Sequence, residues 1–190
     1  MAYAGFFRLE RLRLRHALFA GGMSPPLTRE LFERGHAVAV LPYDPVADAV
    51  VLIEQFRVGA LARPGGPWLV EIVAGIIDGD EGPEAVARRE AVEEADLRLG
   101  RLEQIGRFYV SPGGSSESVQ LFCGEVDAGG AGGVHGLVEE GEDIRVFAEP
   151  FAAAMQRLAA GGIDSATPVI ALQWLALNRA RLRQAWAGRV

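Results

Sequence analysis

Apolar and polar positions along the chain alternate with two periods, and these predict most of its elements. Arg11-Leu12-Arg13-Leu14-Arg15-His16 alternates with period two, a half-buried strand whose polar face is arginine-rich. Gly21-Gly22-Met23-Ser24-Pro25-Pro26 is a loop by composition. The apolar runs Ala37 to Pro42 and Ala49 to Phe56 flank Tyr43-Asp44-Pro45-Val46-Ala47-Asp48, which predicts an antiparallel hairpin. After the loop Arg63-Pro64-Gly65-Gly66-Pro67, Trp68 to Ala74 predicts a strand broken by Gly75. Pro83 to Leu97 predicts a helix: proline suits the first helical position and the interior is Ala, Val, Arg and Glu.

Further on, Ile105 to Val110 and Ser118 to Val126 predict strands joined by the polar loop Ser111 to Glu117. Asp127 to Glu142 is rich in glycine and acid and too long for a simple turn; long structureless loops in compact domains are often functional. Ile144 to Ala148 predicts a short strand. Pro150 to Ala160 predicts an amphipathic helix with Phe151, Met155 and Leu158 on one face, stopped by Gly161. Ala166 to Trp186 predicts the longest helix, apolar through Trp174 and Leu177, with a basic end that complements the helix dipole. Strands around a central helix and a C-terminal helix pair define an α+β chain with a mixed sheet packed between helices.

Composition narrows the function. A chain of 190 residues, 49% apolar, fits one globular domain with a small additional segment. A net charge of −6 argues against a nucleic-acid partner, which needs a basic footprint. All 19 positive side chains are arginine, which would suit phosphate recognition, although a coding bias towards Gly, Ala and Arg is the simpler reading. Cys123 stands alone inside an apolar run, as expected of a buried residue in a reducing compartment. Neither a signal peptide nor an 18-residue apolar run is recognisable, so the expectation is a soluble cytoplasmic protein without a membrane partner. His16, His36 and His135 show no ligand spacing and read as structural.

The chemistry concentrates between Glu71 and Leu97. On a helix from Pro83, Glu90, Glu93 and Glu94 fall within an arc about 100° wide, leaving Ala85, Val92 and Ala95 for a core face. Crowded carboxylates raise one another's pKa unless a cation sits among them. Hard divalent ions prefer such oxygen ligands, whereas a solvated acidic face is the plain alternative. The spacing decides between the two. Gly75, five residues, Glu81, seven residues, Arg89-Glu90, two residues, Glu93-Glu94 matches the Nudix box, G-x5-E-x7-R-E-U-x-E-E-x-G-U, at every charged position. Asp96 stands where that pattern has glycine, and aspartate tolerates the left-handed conformation glycine would supply.

The chain thus resembles the Nudix hydrolase superfamily, and its similarity to bacterial ADP-ribose pyrophosphatases extends beyond the box. It is carried by Gly5-Phe6-Phe7, Phe32-Glu33-Arg34-Gly35-His36, Leu52-Ile53-Glu54-Gln55-Phe56-Arg57, Ser111-Pro112-Gly113-Gly114, Glu140-Gly141-Glu142-Asp143-Ile144-Arg145 and Val169 to Leu175. The resemblance implies a Nudix fold, an α/β/α sandwich, as residues 36–190, preceded by an N-terminal strand segment, residues 1–35, exchanged in a homodimer. It implies hydrolysis of ADP-ribose to AMP and ribose 5-phosphate with Mg²⁺, or Mn²⁺ as the alternative ion. By the same resemblance Glu90, Glu94, Glu142 and the Ala74 carbonyl are metal ligands, and Glu93 adds charge or a further ligand. Glu140 is the general base, with the neighbouring loop acids as alternatives. Arg89 and Glu81 brace the loop that Gly75 opens. Arg57 meets the substrate phosphates, and Ser111 and Glu117 line the ribose side. Arg29 and Phe6 reach the adenine end from the second subunit, although Phe6 beside Phe7 also reads as core.

Two rivals are weighed against this. One is a hydrolase of another nucleotide sugar such as GDP-mannose, on which the box is silent. The other is a Nudix domain that senses a nucleotide without turnover; such domains often lose box carboxylates, and here all four box glutamates remain.

Overall fold

The computed structural model describes residues 3–137, 139 and 141–186. In chain order the strands and helices are β1 (Tyr3–Ala4), β2 (Arg8–Leu14), β3 (Leu27–Glu33), β4 (Ala37–Asp44), β5 (Ala49–Phe56), β6 (Trp68–Glu71), β7 (Val73–Ile76), α1 (Pro83–Ala95), β8 (Leu102–Tyr109), β9 (Ser118–Glu125), β10 (Gly132–His135), β11 (Ile144–Pro150), α2 (Phe151–Ala159) and α3 (Ala166–Trp186). β1, β2 and β3 form an antiparallel sheet of their own. The main sheet runs β10-β11-β5-β4-β9-β8, with β6 added on β5 and β7 on β4. It is mixed because β4 and β9 are parallel while the other pairs are antiparallel.

The alternation of side chains across β4, β5 and β9 builds two cores. Ala39, Leu41 and Tyr43, with Val50, Leu52, Leu121 and Cys123, pack against α2 and α3 through Phe151, Ala154, Leu172, Leu175 and Leu182. Val38 and Val40, with Val51, Ile53 and Phe122, pack on the opposite side against Val86, Ala87, Ala91 and Ala95 of α1. The expected α/β/α layering follows, and β4 and β5 read as nearly continuous apolar runs because both faces are covered. No helix among the described residues is long and apolar enough to cross a membrane.

Several expectations need correction. The hairpin is real but short: β4 and β5 pair only at Tyr43–Val50 and Asp44–Ala49, after which β4 takes β7 as its antiparallel neighbour. Gly75 does not break a strand; it lies inside β7 opposite Val38, and the interruption falls at Ile72. β3, whose Leu27-Thr28-Arg29-Glu30-Leu31-Phe32-Glu33 has no clean period of two, went unseen. The long glycine-rich loop contains β10, held by β11. On α3, Leu177 is exposed. Gly161 does end α2, with a φ of 75°.

The turn between β4 and β5 is fastened to the C-terminal helix. Asp48 sits in the left-handed region at φ 56° and accepts hydrogen bonds from Tyr43 Oη at 2.8 Å and Arg179 Nε at 2.6 Å. The Arg179 bond holds the Asp48 carboxyl below the ordinary range, outweighing the opposing effect of burial. A depressed carboxylate contributes stability above its unfolded pKa and loses it as pH falls through the folded value. Asp48→Asn keeps the backbone preference, so it is expected to cost about 1–3 kcal/mol at pH 7. That gap should close below the ordinary carboxylate range, as read from urea unfolding at both pH values. An equal gap in acid would remove the charged bond as its cause.

Candidate active site

Helix α1 follows Gly82, starts with Pro83 and ends where Asp96 adopts φ 50°, its N–H returning to Ala91 and Val92; the aspartate does supply the left-handed cap. Its buried arc includes Ala95 as expected but is turned away from Ala85 and Val92. Val86, Ala87, Ala91, Glu94 and Ala95 are buried, whereas Ala85 is exposed and Val92 is 48% exposed. At roughly 100° per residue Glu90 and Glu94 fall between Val86 and Ala91, in the middle of the face turned to the sheet. Small side chains there let α1 lie close on β7, and the two glutamates enter the seam instead of pointing to water.

Glu94 is only 3% exposed, and its Oε2 accepts the Ala74 N–H at 3.0 Å. Burial pushes its pKa up to about 8 against that hydrogen bond, with the charges of Glu90 and Glu142 adding to the rise. Glu90 is raised too, first by burial and then by Glu93 and Glu142, against the pull of Arg89. Arg89 gathers the rest of the box: its Nη1 lies 2.7 Å from Glu93 and 2.9 Å from Glu90, and its Nε 3.3 Å from Glu81. The expected brace between Arg89 and Glu81 is therefore present. Gly75 passes so close under Glu90 that a Cβ would overlap that side chain. Glu142 joins from the far loop, where its Oε2 accepts the Leu137 N–H at 3.0 Å.

The donors are hard oxygens, desolvated and mutually repelling, which is the chemistry a divalent cation would relieve. Among the described residues no three of them stand at ligand spacing. Glu90, Glu94 and Glu142, with Ala74 beside them, are the residues that would hold such an ion.

These residues form one wall of a cleft of about 1730 Å³, large enough for a dinucleotide-sized ligand. Arg57, Glu71, Glu81, Arg89, Glu93 and Glu117 also line it, as do Phe6, Phe7 and Arg34 from the N-terminal region. Phe6 is 88% exposed at the rim, in edge contact with Phe7 at 4.7 Å, so the reading of it as core fails. The N-terminal segment is clipped to the cleft. Glu33 accepts the Ser116 hydroxyl at 2.7 Å, Arg34 pairs with Glu117 at 3.5 Å, and the Ser118 hydroxyl meets His36 Nδ1 at 3.0 Å. Of the expected substrate residues, Ser111 does not line the cleft, and Arg29 is one expected to serve the site of a second subunit. Ser111 is exposed and its carbonyl holds the turn through Gly114 and Ser115, while Arg29 is exposed on β3 and bonds to the Thr28 carbonyl. Glu140 lies outside the described residues. Glu71 has no role predicted from the sequence beyond opening the box region, although an acid within the apolar run Trp68 to Val73 is itself a signal.

A mixed sheet between helices, with a glutamate-bearing helix seated on the strand before it, defines a Nudix-type site, and the chain belongs to the Nudix family: the NUDIX domain model matches residues 33–130. Among individual proteins it is 52% identical to the ADP-ribose pyrophosphatase of Escherichia coli K12, over 97% of this chain and 88% of that one. It is 40% identical to the GDP-mannose pyrophosphatase of Cronobacter sakazakii, over 79% and 78% of the two chains. A crystal structure of an ADP compounds hydrolase superposes with a TM-score of 0.72 at 21% identity, covering 99% of this chain and 92% of that one, which supports the fold.

Proposed function

We propose that the chain is a Nudix hydrolase that splits the pyrophosphate of ADP-ribose, giving AMP and ribose 5-phosphate, with Mg²⁺ as its working ion. The observation that carries this reading is the extent of the likeness to the Escherichia coli enzyme, which spans 97% of the chain, N-terminal segment included. The GDP-mannose relative is both less similar and matched over less of the chain.

In this reading Glu90, Glu94, Glu142 and the Ala74 carbonyl hold the ion, and Arg89 keeps Glu90 and Glu93 in register with Glu81. The ion, when bound, supplies charge neutralisation across the pyrophosphate and activation of water. Arg57 receives phosphate oxygens, for which a guanidinium fork is suited. Glu117, which lines the cleft, meets the ribose side. The oxygen of water adds to one phosphorus, the bridging P–O bond breaks, and the proton passes to Glu140. Residues 1–35 exchange within a homodimer, so that Phe6 and Arg29 serve the adenine end. The separate β1–β3 sheet with exposed Tyr3, Phe6 and Phe19 supports that exchange.

The test is turnover by the pure protein with Mg²⁺, Mn²⁺ or EDTA, on ADP-ribose beside GDP-mannose, with sedimentation velocity on the same preparation. ADP-ribose is expected to give the higher kcat/KM, EDTA to abolish turnover, and the protein to sediment as a dimer. Preference for GDP-mannose would replace the substrate, turnover in EDTA would remove the metal, and a monomer would remove the exchange.

A further inference from the structure

Glu71 is an acid in an apolar strand beside a cleft read as binding phosphates, where a bare negative charge would repel the ligand. Its side chain is only 13% exposed and is held from three directions. Oε2 accepts Arg57 Nε at 2.7 Å and Gln55 Nε2 at 3.4 Å, and Oε1 accepts the Ser165 hydroxyl at 2.9 Å. Gln55 is itself buried. The loop carrying Ser165, between α2 and α3, is clasped a second time where Arg63 Nε meets Asp164 at 2.6 Å. Among the described residues the two terminal nitrogens of Arg57 make no hydrogen bond. The guanidinium is thus gripped at Nε, with its outer fork left for the cleft it lines.

We propose that Glu71 is a positioning residue: anchored by Gln55 and Ser165, it fixes Arg57 in the orientation that receives the substrate's phosphate oxygens. This rests on the reading of Arg57 given above. A flexible arginine loses rotamer freedom on binding, and a partner that orders it beforehand removes that loss. Charge and positioning predict opposite signs. If Glu71 acts only through its charge, its removal tightens binding of an anionic ligand; if it positions Arg57, removal weakens binding.

The experiment compares wild type, Glu71→Gln, Arg57→Ala and the double variant by ADP-ribose kinetics and by calorimetric titration with ADP as a probe. Glu71→Gln is expected to raise KM and the Kd for ADP about tenfold with kcat nearly unchanged, the pattern of lost uniform binding. The effect should vanish in the Arg57→Ala background. Ser165→Ala, which leaves the carboxylate in place, should shift both constants the same way by a smaller factor. A fall or no change in KM and Kd, or an equal effect without Arg57, overturns the proposal, as does undiminished ADP binding by Arg57→Ala. If wild type does not turn over ADP-ribose, the substrate reading fails by itself and the ADP titrations still decide the role of Glu71.

Discussion

Glu94→Gln is expected to cut kcat by about a hundredfold to a thousandfold and, in EDTA, to raise the melting temperature. The opposite signs come from one fact: Glu94 is a carboxylate buried in the seam between α1 and β7, 3% exposed, with other acids as neighbours. Glutamine preserves the shape, and its amide oxygen can still accept the Ala74 N–H, so the helix stays seated. What disappears is a carboxyl whose pKa burial pushes up to about 8, and holding it there costs the folded protein on the order of 3 kcal/mol at neutral pH. For a chain of this size each kcal/mol moves the midpoint by about 2–4 °C. If Glu94 is a ligand as proposed, adding Mg²⁺ should then stabilise wild type and leave the variant unmoved. Scanning calorimetry with and without Mg²⁺, beside initial rates, reads all three effects. An unchanged kcat would strip Glu94 of its ligand role; a lower midpoint in EDTA would make it a structural residue.

The same residue shows what the sequence could and could not reveal. Spacing located the box, since Glu81, Arg89, Glu90, Glu93 and Glu94 lie within one loop and one helix whose local rules hold. It also foresaw α1, α2 and α3 nearly to their ends, because 3.6-residue periodicity and Pro or Gly punctuation are local signals. The orientation of α1 was not local. A helix with four alanines and two valines has no strong apolar face, so polarity chose Ala85, Val92 and Ala95 for the core side rather than Glu90 and Glu94. Contact with β7 put them in the seam. The pairing of β4 with β9, some eighty residues apart, left no mark on either strand beyond its apolarity. The role of Glu71 is not local either: its partners Arg57 and Ser165 lie 14 and 94 residues away.

Gly75→Ala carries the second large effect, and it acts through space and not through backbone freedom. Gly75 lies within β7, paired with Val38, and is not among the glycines of positive φ, so alanine fits its backbone. Its missing side chain is the space that Glu90 fills: a Cβ there would overlap Oε1, Cδ and Cγ of that glutamate. Because the overlap includes Cγ, swinging the carboxyl tip cannot relieve it, and either Glu90 changes rotamer or α1 lifts from the strand. Displacing a ligand by as little as about 1 Å can cost a hundredfold in rate, and that loss in kcat is expected. Overpacking at the seam adds about 1–3 kcal/mol of destabilisation. The cycle with Glu90→Gln separates the two. If Gly75 serves Glu90, the alanine should lower kcat little further once the ligand is gone, although its stability cost persists. Independent, multiplying losses would instead mean that Gly75 sets the strand's own geometry.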